Sequence, residues 1–327
     1  MEKKFDVFGT DSGCLDMNIV IDKYPEHNRG TRVLDMSYQG GGKVASGVVA
    51  SARLGGKVAY AGCFFDDKRG QFLKKDMLDH GINIDASVTR HGKTFMNIVV
   101  AERAYGTRTM LGTPGDMGRI GVDEINWDYL RQSKVLFIAF LNDVAFKAIE
   151  IARENDIPVL IDADGYSETL EKNIDKIDYF IGSEFVFDAM FPGAKDKGLE
   201  NCEAEVDAIR ARGPKTVVFT FGEKGCIGKG VEEEFFTLPA FKIDVVDTVG
   251  AGDVFHGAFA VAVTKGLSTK ECARFASGTS AIKCTRIGGR AGVPTLEVLE
   301  KFLETGEIDY TEIDKRVEYY RSAFENS

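Results

Sequence analysis

The residues Asp247-Thr248-Val249-Gly250-Ala251-Gly252-Asp253 lead directly into the apolar run Val254-Phe255-His256-Gly257-Ala258-Phe259. Small residues at the start of a helical pattern let a ligand approach the backbone. The first N–H groups of a helix also lack partners within it. The helix dipole adds partial positive charge there, so Gly250, Ala251 and Gly252 read as an anion cradle. Asp253 stands against that reading, because a carboxylate repels phosphate. Proton abstraction beside a bound anion gives it a purpose. Support of the helix start is the plainer alternative.

A second glycine run, Gly40-Gly41-Gly42, precedes Lys43 and the Ala-rich pattern Val44 to Leu54. It offers free N–H groups and an ammonium for an oxygen-rich ligand, or it is a turn. Thr220-Phe221-Gly222-Glu223-Lys224-Gly225 leaves an apolar run into another glycine turn. That turn either packs against a nucleotide or closes a hairpin. Gly228-Lys229-Gly230 lacks the spacing of a phosphate-binding P-loop, and Gly9-Thr10-Asp11-Ser12-Gly13 lacks that of a dinucleotide fingerprint. His80 and His91 fall at turn-like positions and read as surface residues. His256 follows Asp253 by one helical turn and either nears the site or packs the helix.

These residues need a frame. Val135–Phe140, Ile157–Ile161, Tyr179–Ile181 and Thr216–Thr220 are short apolar runs separated by amphipathic helical stretches, and Phe241–Val246 reads as a further strand. Such alternation implies crossover units and a mainly parallel sheet. Ligands then bind beyond the carboxyl ends of the strands, where Asp162, Ser183, Thr220 and Asp247 fall. Met17 to Tyr38 and Gly92 to Leu111 instead alternate apolar with polar residues and carry turn signals at Pro25, Asn28-Arg29-Gly30 and Tyr105-Gly106. They predict antiparallel hairpins projecting as a lid or interface.

The chain has 327 residues, 44% hydrophobic and 28% charged, enough for one large α/β domain with an excursion. Its net charge of −10 argues against broad nucleic-acid binding, while leaving room for a small anionic substrate. The six cysteines show no metal or redox spacing, and buried reduced thiols are expected. No run approaches about 18 apolar residues, so no membrane span is expected. No leader pattern opens the chain, which points to a cytoplasmic protein.

Asp247 to Asp253 with Phe255 and Gly257 resembles the C-terminal signature of the ribokinase (PfkB-type) carbohydrate kinases. Gly41-Gly42 through Leu54-Gly55 resembles their N-terminal signature, and Thr220-x-Gly222-x-x-Gly225 their nucleotide-side turn. Phe241 to Pro294, with Cys284-Thr285-Arg286-Ile287-Gly288-Gly289-Arg290, looks nearest to a sulfofructose-kinase-like branch. The resemblance implies one three-layer α/β domain over residues 1–327, with a mainly parallel central sheet and a β-sheet lid at about 17–38 and 92–111.

It further implies transfer of the γ-phosphate of ATP, with magnesium, to a primary hydroxyl of a ketose or pentose. A nucleoside kinase and a non-catalytic sugar or nucleotide sensor are the alternatives. Asp253 would be the general base, and Gly250, Ala251 and Gly252 the anion hole. Asp16, Gly42, Lys43, Ser46 and Asn142 would face the sugar, with Arg108 reaching an anionic group. Ser183, Thr220, Gly222, Gly225 and Gly252 would line the nucleotide. Asp247 with carbonyls around Val249, Lys283 and Gly288 would hold a monovalent cation such as potassium. The lid's open edge implies a homodimer. Three departures stand out: Ser46 replaces the family's usual Asn, Ser183-Glu184-Phe185-Val186 replaces its Asn-x-x-Glu, and no basic residue lies near Phe140-Leu141-Asn142 to meet a sulfonate.

Overall fold

Apolar runs that alternate with helices pack into one eight-stranded sheet. The strands Thr216–Thr220, Tyr179–Ser183, Val159–Ala163, Ser133–Ile138, Phe5–Thr10 and Val58–Ala61 lie side by side in that order and run parallel. Cys226–Lys229 and Phe236–Leu238 extend the first edge antiparallel. The computed structural model describes residues 2–105 and 107–324. The central strands are apolar on both faces, as burial under helices on two sides requires. Neighbours Val7 and Phe8 accordingly fall in different core clusters, one holding Val44 and Phe255, the other Ala148 and Phe187.

The lid is a four-stranded sheet in the order Val33–Gly41, Cys14–Ile21, Met96–Glu102, Thr107–Gly112. Its outer pairs are antiparallel and its central pair parallel. The strands run further toward the core than the alternating pattern indicates, which places Asp16 between Gln39 and Asn97 at the root. Gly106, part of the expected turn at Tyr105-Gly106, lies outside the described residues.

Two expectations fail for identifiable reasons. Phe241–Val246 forms no strand, since Phe236–Leu238 already ends the sheet. The segment crosses instead to the Cys284 carbonyl, which accepts the Val246 N–H at 2.8 Å, and Phe241 packs its ring on Phe302. Asp247 therefore follows a loop, not a strand. His80 is no surface residue: it is largely buried beside Asp76, its Nε2 is 3.3 Å from the Tyr320 hydroxyl, and burial pushes its pKa down to about 4. Among the described residues no helix is long and apolar enough to cross a membrane.

The two helices that carry the motifs, Lys43–Arg53 and Ala251–Thr264, cross at glycine. A Cβ on Gly257 would run into the Gly47 carbonyl oxygen, and one on Gly47 would sit 2.9 Å from the Asp253 oxygen. Ser51 fastens the crossing by donating to the Gly257 carbonyl at 2.7 Å. Gly257→Val should cost about 3 kcal/mol or more by overpacking. Gly165→Ala, whose Cβ meets open space, should stay within about 0.5 kcal/mol. Chemical denaturation of both variants checks this, and equal stabilities would contradict it.

Candidate active site

The glycine crossing sets two helix starts side by side at the carboxyl ends of the strands. Gly250 caps one in the left-handed region (φ 71°), and a Cβ there would lie 2.9 Å from the Gly289 Cα. Only glycine fits this conformation against that backbone without strain. Ala251 differs from its expected role, since its N–H turns back onto the Thr248 carbonyl at 3.2 Å. Among the described residues the N–H groups of Gly250, Gly252 and Asp253 find no acceptor. Gly252 is exposed, and a Cβ there would meet open space. The cradle is thus open at Gly252 and at Asp253's own amide.

The other helix start is capped by Gly42 (φ 102°). Its first N–H groups are taken by a residue the sequence reading left without a role: the Asp11 carboxylate accepts from Val44 at 2.8 Å and Ala45 at 3.3 Å, and from the Tyr60 hydroxyl at 2.8 Å. The glycine run has a steric cause as well. A Cβ on Gly41 would collide with the Asp16 carboxylate, and one on Gly40 with the Arg290 guanidinium. Asp16 accepts from Asn97 at 3.1 Å, and burial raises its pKa. Ser46 is buried on this helix, with Gly289 beside it.

Carboxylates dominate the floor between the two helices. Lys43 Nζ lies 2.7 Å from Asp164 Oδ2 and 3.8 Å from Asp162 Oδ2. Burial disfavours the Lys43 ammonium, but Asp162, Asp253 and Asp164 outweigh it and raise its pKa. Asp253 is pushed well above the usual carboxylate range, first by desolvation and then by the charge on Asp162, with Lys43 opposing. Both oxygens of Asp162 are buried without a hydrogen-bond partner. Asp162 was legible as a strand end; its part in the charge balance was not.

His256 resolves toward packing. Its Nδ1 lies 2.6 Å from the Gly252 carbonyl, its Nε2 3.2 Å from the Ile181 carbonyl, and its ring stacks on Phe137. It ties the first turn of the helix to the sheet.

The remaining expected residues are engaged in other ways. Asn142 caps the helix Asp143–Glu154 by accepting the Ala145 N–H. Ser183 caps the helix Glu184–Met190, and its hydroxyl donates to the Asp164 carbonyl at 2.8 Å. Glu184 is held by Lys195. Thr220 donates to the Gly182 carbonyl, and Gly222 and Gly225 close a hairpin with φ 55° and 91°. Arg108 reaches from the lid to the cradle, where its Nη1 donates to Thr248 Oγ1 at 3.1 Å.

Around Asp247 the carboxylate and the carbonyl are both engaged by donors of this chain. Val249 and Gly288 turn their N–H groups onto the two Asp247 carboxylate oxygens, at 2.9 and 2.8 Å. The Lys283 ammonium, fully buried, donates to the Asp247 carbonyl at 2.9 Å.

A parallel sheet with an open helix start and a carboxylate of raised pKa at its carboxyl edge suits group transfer from an anionic donor. Residues 11–296 match the pfkB family of carbohydrate kinases, and the chain belongs to that family. It is 25% identical to the 5-dehydro-2-deoxygluconokinase of Listeria innocua, over 94% of this chain and 98% of that protein. Its fold matches the Arabidopsis thaliana ribokinase complexed with ribose and ATP, with TM-score 0.76 and 21% identity over 93% of this chain and 99% of that one. It also matches an E. coli structure assigned as ribokinase II in complex with ATP and magnesium, with TM-score 0.77 and 18% identity over 92% and 99%. The protein is a ribokinase-like carbohydrate kinase.

The raised pKa of Asp253 has a consequence for stability. Between the unfolded value near 3.9 and the higher folded value the native state holds the extra proton, so ionisation opposes folding increasingly as pH rises. Asp253→Asn removes that term. The variant should melt higher than wild type at about pH 8, with the gap closing toward about pH 4. Differential scanning calorimetry across that range checks it, and a gap independent of pH would contradict it.

Proposed function

We propose that this kinase transfers the γ-phosphate of ATP to the primary hydroxyl of a ketose or pentose, with Asp253 as the base. The basicity of Asp253 at the mouth of an open helix start carries this reading. The hydroxyl proton passes to the Asp253 carboxylate as the oxygen attacks phosphorus and the bond to the ADP oxygen breaks. The amides of Gly250, Gly252 and Asp253 meet the charge on the transferring group. Burial and the charge on Asp162 raise the basicity of Asp253, and Lys43 opposes that rise.

The sugar lies between the lid root and the Lys43 helix. Asp16, Gly42 and Lys43 support its hydroxyls, with Ser46 behind them. The nucleotide lies toward Ser183, Thr220, Gly222 and Gly225. Magnesium would accompany the nucleotide. The Asp162 carboxylate, which accepts no hydrogen bond, and the rim carboxylate of Asp164 suit a hard cation that keeps water and phosphate ligands. They would hold it, and it would neutralise phosphate charge there.

A sugar acid is the second reading. Arg108 faces the cradle from the lid and could pair with a carboxylate, and the relatives named 5-dehydro-2-deoxygluconokinase support it. Six free, buried cysteines support a reducing, cytoplasmic setting. The lid supports a homodimer: its edge strand Thr107–Gly112 is exposed throughout, with Met110 and Leu111 on it and Val33 and Leu34 at the other edge.

An ADP-release assay with ATP, magnesium and a panel of ketoses, pentoses, sugar acids and adenosine tests the substrate. Turnover is expected with a ketose or pentose. Turnover confined to sugar acids selects the second reading, and turnover confined to adenosine rejects both. Asp253→Asn should lose about two orders of magnitude or more in kcat; a variant keeping most of its turnover would remove Asp253 as the base. Light scattering should give twice the chain mass, and Leu111→Lys should halve it. A monomeric wild type would reject the dimer.

A further inference from the structure

The loop that carries the anion cradle is tied along its length to the end of the helix Thr269–Cys284 and the turn after it. The Cys284 carbonyl accepts the N–H groups of Val246 and Asp247 at 2.8 and 3.1 Å. The Asp247 carboxylate accepts from Val249 and from Gly288, and Gly250 rests on the Gly289 backbone. One further tie is a hydrogen bond from a charged donor. Lys283, with no exposed surface, sends its ammonium to the Asp247 carbonyl.

This is where the resemblance implies a bound monovalent cation, and the residues present do not fit one. Both oxygens of the Asp247 carboxylate are occupied by backbone donors. The Lys283 carbonyl already accepts the Arg286 N–H at 3.2 Å. The neighbouring carbonyl of Asp247 faces an ammonium. The buried ammonium already supplies a positive charge at this carbonyl, and a second cation beside it would meet like-charge repulsion in a low dielectric.

We propose that Lys283 is a tethered replacement for the monovalent cation. It is a positioning residue whose ammonium holds the Asp247–Gly252 loop in its anion-binding shape, so that this kinase works without potassium. A free cation must be captured from solution, whereas a side chain is present at every turnover. The loop's order then depends on one covalently attached charge and not on the ionic composition of the medium. The proposal rests on the kinase reading above for its link to nucleotide binding, but not for its structural part.

The test compares wild type, Lys283→Met and Lys283→Ala in about 0.1 M KCl or tetramethylammonium chloride, at equal ionic strength. Two quantities are read: the melting temperature, which needs no substrate, and the affinity for magnesium ADP by calorimetry. Wild type should give the same melting temperature in both salts and affinities within about twofold. Lys283→Met should melt lower by about 4 °C and bind magnesium ADP about tenfold more weakly in both salts. Lys283→Ala, which opens room for an ion, should recover melting temperature and affinity in KCl and not in the bulky salt.

A wild type that gains melting temperature or affinity selectively in KCl would overturn the proposal. So would a Lys283→Met with wild-type values, or a Lys283→Ala that KCl leaves unchanged. Absence of magnesium ADP binding by wild type in either salt would count against the kinase reading, while the melting temperatures would still decide the role of Lys283.

Discussion

The contact between Gly47 and Gly257 is the constraint on which the site depends. Two helices approach to backbone contact only because neither residue has a Cβ. Their first turns, one bearing Lys43 and the other Asp253, are thereby brought to the same end of the sheet. Every electrostatic relation in the floor follows from that placement. A wider crossing would part the ammonium from the carboxylates that it balances, and the low dielectric between them would no longer magnify the balance.

The same economy of fixed charge recurs around the cleft. Asp162 is buried with no hydrogen-bond partner and raises the basicity of Asp253, while Lys43 restrains it. Arg290 is buried at the lid root, where it meets Asp76 at 2.5 Å and donates to the Gly41 carbonyl. Gln39 joins that root to the cradle's supporting turn by accepting from the Arg290 and Ala291 N–H groups and donating to the Ile287 carbonyl. Lys283 stands on the far side of the cradle. The small sheet, the Gly40–Gly42 turn and the Asp247–Gly252 loop therefore share one polar framework, and a change in any part is felt in the others.

Much of this was legible in the residues, because the decisive signals are local. Glycine at a helix start, apolar runs ending in polar residues, and alternating segments each follow from backbone geometry that neighbouring residues fix. The helix start at Gly250, the parallel sheet and the strands of the small sheet were readable on that ground. What escaped depends on residues distant in sequence. Phe241–Val246 has a strand's composition but no free edge to join. His80 is buried by Tyr320, and Asp11 is explained only by the start of the Lys43 helix. Lys283 was read for its carbonyl, and only the fold of the Asp247 loop shows its ammonium engaged there. Ala251 fits the cradle by type, and only the turn geometry shows its N–H spent on Thr248.

The central claim is that Asp253 is a carboxylate made basic by its surroundings and held in check by Lys43. Carbon-13 NMR titration of its side-chain carboxyl carbon, assigned by difference from Asp253→Asn, measures this directly. The account predicts a midpoint clearly above the ordinary value of about 3.9, moving higher still in Lys43→Met as the opposing charge is lost. A midpoint near about 3.9 that Lys43→Met leaves in place would contradict it.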